Sequence, residues 1–130
     1  MKNLFFAAVV AIPLIAMGKP TKDRLVFECV ESEPLSDTAL SVEIYNNKEK
    51  DLTLVLGYWD GGTKHYENFY SVFRNYDSIG RQYIYKSFDS KAGIEFRTEP
   101  ISSKKFNGIF KSKNHSETQV HCKLAYNLAR

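Results

Sequence analysis

Two cysteines constrain this chain more than any other feature. Cys29 and Cys122 are its only ones and lie over ninety residues apart. Each falls in phase with the apolar members of a short alternating run. In "RLVFECV" (24–30) Leu25, Phe27 and Cys29 share a face, and in "TQVHCKLAY" (118–126) Val120, Cys122 and Leu124 do. Alternation with a period of two is the mark of a strand with one buried face. A disulfide needs its two Cα atoms within about 7 Å. If the cysteines are joined, the first and last strands of the fold must meet.

Between them the same pattern recurs at short intervals. "ALSVEIY" (39–45) groups Leu40, Val42 and Ile44, with Ser41 and Glu43 opposite; "LTLVLGY" (52–58) groups Leu52, Leu54 and Leu56. Similar runs occupy 65–73, 81–87, 93–98 and 105–112, separated by clusters of Gly, Asn, Asp, Ser and Pro that favour turns. No helical period is long enough for a crossover. The expectation is an all-β fold: a small antiparallel meander of eight strands closing as a barrel, with one disulfide joining its first and last strands. Closure would remove the exposed edges of a small open sheet. A two-sheet sandwich bridged between its sheets satisfies the same constraint. Glu28, Glu43, Glu67 and Glu95 fall at alternating strand positions and read as solvated glutamates.

The start of the chain is of another kind. Lys2 precedes an apolar run of about thirteen residues (4–16), followed by Ala16-Met17-Gly18, the pattern of a cleavable secretory signal. A bilayer span needs roughly twenty such residues, so no membrane span is expected. We therefore expect a signal peptide at 1–18, a single β domain at 19–130, and a periplasmic or secreted, monomeric protein. In an oxidising compartment a Cys29–Cys122 disulfide is the simplest reading of the cysteines.

Charge is uneven along the chain. Residues 19–70 carry six Lys/Arg against ten Asp/Glu, and residues 71–130 carry eleven against five. Such asymmetry can steer an anionic partner. The expectation is nonetheless that the two halves mix on the surface, with the last strands packed beside the first.

The chemically richest stretch is "YWDGGTKHYENFY" (58–70), which holds the one tryptophan. Asp60-Gly61-Gly62 reads as a hairpin turn, and Tyr58, Trp59, Tyr66, Phe69 and Tyr70 fall on its arms, where they can pair across strands. The functional alternative is an aromatic platform made of Tyr58, Trp59 and Tyr66 with Asp60 and His65 as polar neighbours. His65, His115 and His121 have no spacing suited to a metal, so neither metal nor cofactor is expected. There is no nucleophile elbow, and a glycosidase pair among ordinary strand glutamates has no specific support; an enzyme is not expected. Arg81, Lys91, Arg97, Lys104, Lys105, Lys111 and Lys113 could line one surface, but export argues against nucleic acid as a partner.

A secreted β-barrel with a bridge from first to last strand resembles the periplasmic inhibitors of c-type lysozyme. Those inhibitors present a Ser-Gly-x-Lys/Arg-Tyr loop to the lysozyme cleft. "SIGRQY" (78–83) is similar in ingredients, with Ser78, Arg81 and Tyr83 in the matching roles, but carries extra residues at two points. The resemblance implies a binding loop there. The expected function is an exported, non-catalytic binding module: an inhibitor of an extracellular or periplasmic protein such as a lysozyme, or a glycan binder. The alternative is a small barrel carrying an apolar ligand in its interior. The position of Trp59 discriminates, since a ring outside the core favours a surface and a ring inside favours a cavity.

Overall fold

The computed structural model describes residues 24–47, 49, 51–99 and 104–125; the expected signal at 1–18 lies outside them. Eight antiparallel strands follow one another: β1 (Arg24–Glu31), β2 (Thr38–Asn46), β3 (Leu52–Asp60), β4 (Thr63–Asp77), β5 (Gln82–Ser87), β6 (Glu95–Thr98), β7 (Lys105–Lys111) and β8 (Thr118–Leu124). Each pairs with the next, and β8 returns to pair with β1, so the sheet closes into a barrel. Of the two architectures compatible with the sequence, this is the barrel. Cys29 stands directly opposite Cys122 in the closing pair, and the two are bonded.

The inward phase of every strand builds the core. Phe27 lies at its centre, edge-on to Tyr85 and Phe106 with ring centroids 5.8 and 5.1 Å away, and tilted against Phe96 at 6.0 Å. Val42, Ile44, Leu54, Leu56, Val72, Phe110 and Val120 pack around these rings, all fully or nearly fully buried. Eight strands enclose just enough space for side chains to fill, and here large aromatic side chains fill it.

Two strands depart from their sequence pattern. In β1 the register with β2 shifts between Leu25 and Phe27, so Leu25 does not share the face of Phe27 and Cys29 as expected, and Val26 packs against the core instead. β4 departs further. β4 runs for fifteen residues, well beyond the 65–73 expected. Its pairing with β3 slips between Leu56↔Asn68 and Gly57↔Tyr66, leaving Glu67 as an extra residue in a bulge. Gly57 makes this possible: a Cβ there would stand 2.2 Å from the backbone oxygen of His65. Gly57→Ala is therefore expected to destabilise the protein by about 3 kcal/mol, since backbone must move to admit one methyl group. Chemical denaturation of the purified variant measures this, and an unchanged midpoint would mean that the two strands do not approach so closely. The hairpin itself turns on Gly61 and Gly62, both at positive φ (59° and 94°), as a tight two-residue loop requires.

The last strand packs beside the first, as expected, and the meander sets where the two sequence halves meet. Consecutive strands are neighbours, so β1–β4 form one wall and β5–β8 the opposite one. Residues 24–77 carry five Lys/Arg against ten Asp/Glu, and residues 78–125 nine against four. The two halves meet only at the β1–β8 and β4–β5 seams. The charge imbalance of the sequence therefore follows the order of the strands.

Candidate functional site

Some outward-facing residues of the β1–β4 wall are not solvated. Glu43, expected at the surface, is only 3 % exposed, and its neighbours Ser41 and Tyr45 are as deeply buried. Lys64 reaches into this cluster. Register places Lys64 opposite Trp59 on the outer side of the β3–β4 hairpin. Its ammonium group bonds the Glu43 carboxylate and lies 3.8 Å from Glu28. The other Glu43 oxygen accepts a 2.7 Å hydrogen bond from the Tyr45 hydroxyl. Above them, the Lys64 ammonium sits 4.9 Å from the centre of the Trp59 ring and 5.8 Å from that of Tyr66, within cation–π range. This network fixes the indole on the outside of the barrel.

The phenols record the same environment. Tyr66 is pushed up to about 12, first by burial and then by the Glu43 and Glu28 carboxylates. Tyr45 is raised by burial, by the hydrogen bond it gives Glu43 and by that carboxylate's charge. Tyr85, in the core, is raised by burial, with Arg74 pulling the other way. A phenol raised in the folded state keeps its proton where the unfolded chain would lose it, so stability is full below about pH 10 and falls as pH rises through the folded values. Absorbance at alkaline pH should therefore show Tyr45, Tyr66 and Tyr85 resisting ionisation until the protein unfolds. Ionisation of these three phenols near the ordinary value, with the fold intact, would contradict this burial.

Beside Trp59 a groove of about 700 Å³ crosses the outer faces of β1, β8 and β7, lined by Glu28, Val30, Lys123, Lys105, His121, Asn107 and Glu99. A second groove of about 730 Å³ continues from it. The two share Glu99, Asn107 and His121, and the second runs on past Gln119, Ile109 and Arg97 to Gly80, Arg81 and Gln82. Together they make one furrow, with Trp59 at one end and Arg81 at the other. Its middle is held by side-chain contacts: His121 Nδ1 meets Asn107 Oδ1 at 2.9 Å, and the Asn107 backbone N–H donates to Glu99 at 2.9 Å.

The residues singled out from sequence divide between this furrow and other places. Trp59 and Arg81 line it. Tyr66 packs behind Trp59 in the Lys64 network. Tyr58 and His65 stack on each other at 4.9 Å on the other face of the hairpin, as alternation requires, and Asp60 is exposed at its tip. The hairpin is thus two surfaces rather than one platform. In the 78–83 segment, Ser78 and Arg81 are exposed, while Tyr83 turns inward to Tyr76 (5.1 Å) and beneath the Arg74 guanidinium (4.9 Å). The turn is held by Asp77, whose carboxylate accepts the Ile79 N–H at 3.1 Å. Arg81 adopts φ +55°, unusual for a residue other than glycine. Lys64, Glu43 and Tyr45 were not visible as a site in the sequence, because they meet only through the register of three strands. Asn107 and His121 were hidden for the same reason.

No family model, curated protein or solved structure matches the chain.

Proposed function

We propose that this protein is an exported, non-catalytic binding module that engages its partner along the furrow. One observation carries the reading: Trp59, singled out in the aromatic hairpin, and Arg81, singled out by the resemblance of the 78–83 loop, stand at the two ends of one continuous depression. Each end is also pre-set, the indole by Lys64 and the Arg81 turn by Asp77. Groups ordered before binding lose less entropy when a partner arrives. Glu28 and Glu43 converge on Lys64 and not across a cleft, an arrangement suited to holding structure rather than to acid–base chemistry. The carrier alternative draws less support, because the interior is packed with Phe27, Tyr85, Phe96, Phe106 and Phe110.

A protein partner is the second reading, and Ile79 favours it. This side chain is 94 % exposed beside Arg81 on a turn of fixed shape, the geometry of an anchor that enters a partner's pocket. Binding of the oxidised protein should be measured against a panel of lysozymes, other extracellular proteins and immobilised glycans, with Trp59→Ala and Arg81→Ala alongside. The expected result is a stoichiometric ligand whose affinity drops at least about tenfold in both variants. A protein ligand lost in Arg81→Ala and Ile79→Ala but kept in Trp59→Ala would favour the loop alone. Release of a small apolar molecule on unfolding, with no ligand on the panel, would replace this reading with the carrier.

A further inference from the structure

The furrow carries charge of both signs in equal measure. Its first groove is lined by Glu28 and Glu99 and by Lys105 and Lys123. Its second is lined by Glu33 and Glu99 and by Arg81 and Arg97. Most of these groups are already committed within the protein. Glu28 lies 3.8 Å from Lys64 and faces Lys123 across β1–β8. Glu99 accepts the Asn107 N–H, Arg97 bonds Glu95, and Lys105 is likewise engaged. Balanced charges give no field of one sign along the floor, so a polyanion or a polycation would meet a repelling group in either groove.

What the furrow offers between the charges is neutral. Asn107 and His121 stand opposite each other across β7–β8, where the two grooves join. Their side chains meet through the amide and Nδ1. For a neutral imidazole this contact leaves one donor and one acceptor whichever way the amide is turned. With the amide oxygen on Nδ1–H, the amide NH2 remains to donate and Nε2 to accept. With the amide reversed, its oxygen remains to accept and Nε2–H to donate. A donor beside an acceptor complements two adjacent hydroxyl groups on a ring. The Trp59 indole in the first groove adds a flat apolar surface, suited to the C–H face of a pyranose.

We infer that the furrow binds a linear neutral glycan, with one sugar on Trp59, the next bonded through its hydroxyl groups to Asn107 and His121, and the strand running on toward Arg81. The inference rests on the binding reading above and names its ligand class. Grooves of about 700 and 730 Å³ are each large enough for a small ligand, so the joined furrow takes several sugars. Ile79 lines neither groove and stays outside this contact, which separates the glycan from a protein anchored on the 78–83 turn.

The one tryptophan makes the test direct. Hexasaccharides of glucose, xylose, mannose and N-acetylglucosamine are titrated into the oxidised protein, following Trp59 emission and the heat of binding. Oligogalacturonate, a single-stranded DNA oligomer and an acidic peptide are run as comparisons. A neutral hexasaccharide should bind more tightly than any of these, with an affinity that changes less than about twofold between about 0.01 and about 0.5 M salt. That affinity should fall at least about tenfold in Trp59→Ala and in Asn107→Ala, and stay within about twofold in Ile79→Ala. Asn107 is exposed, so a wild-type melting temperature would show that its variant folds. Tighter binding of oligogalacturonate, DNA or peptide, glycan binding lost at high salt, or glycan affinity unaltered in Asn107→Ala would overturn the inference. Absence of glycan binding alongside a protein ligand sensitive to Trp59 and Arg81 would overturn it while leaving the binding reading intact; absence of any ligand would remove both.

Discussion

Replacing Cys29 and Cys122 together by alanine is expected to lower the unfolding free energy by about 4–5 kcal/mol, from the chain entropy released when so long a loop is opened. The bond spans 93 residues, nearly all of the described barrel. Loops of that size lie at the upper end of the entropic effect because the unfolded chain loses most freedom when its distant parts are tied. Domains of this class have only about 5–15 kcal/mol in total, so the variant should sit close to its folding threshold. Guanidinium denaturation of the oxidised protein, the reduced protein and the alanine variant measures the loss. Reduced and alanine forms should agree with each other. A difference from the oxidised form below about 1 kcal/mol would mean that β1 and β8 remain associated in the unfolded chain, so that the bond removes little freedom.

Lys64→Ala is expected to cost about 3–5 kcal/mol, the usual consequence of removing one partner from a buried ion pair. Its side chain is 12 % exposed, and the Glu43 side chain it bonds is 4 % exposed. Without the ammonium, the Glu43 carboxylate keeps only the Tyr45 hydroxyl as a partner. The cost therefore belongs to the stranded charge and less to the lost attraction. Adding Glu43→Gln removes that charge and keeps an acceptor for Tyr45, so Lys64→Ala/Glu43→Gln should be more stable than Lys64→Ala alone. A double-mutant cycle measured by denaturation reads this coupling directly. Additive effects would mean that Glu43 reaches water in the variant. Trp59 loses its cation in the same step, so its emission should shift even in the double variant.

Architecture was readable because the period-two pattern and the turn residues agree strand after strand. Leu52, Leu54 and Leu56 fell in phase, Gly61 and Gly62 marked a hairpin of the expected geometry, and the cysteines on the apolar phase of the first and last runs implied closure. The candidate site was legible only in part. Alternation says which residues face outward but not what lies over them, and so Glu43 read as solvated. It bonds Lys64, twenty-one positions away in sequence and beyond the bulge at Gly57 that shifts the register of β4. A one-residue slip in pairing would have put Lys64 on the other face. The 58–70 cluster misled in a similar way, because composition groups Trp59 with Tyr58 and His65 while a strand sends neighbours to opposite sides.

The order of the strands has one more consequence, for how the chain is made. Seven of the eight pairings join sequence neighbours and can form in turn as successive hairpins, while β1 with β8 must wait for the last strand. Cys29 is thus synthesised long before its partner and remains a thiol through nearly the whole of that assembly. Yet with two cysteines in the chain there is one intramolecular connectivity and no wrong one. Maturation of the barrel calls for an oxidant at the final step and never for an enzyme that reshuffles bonds.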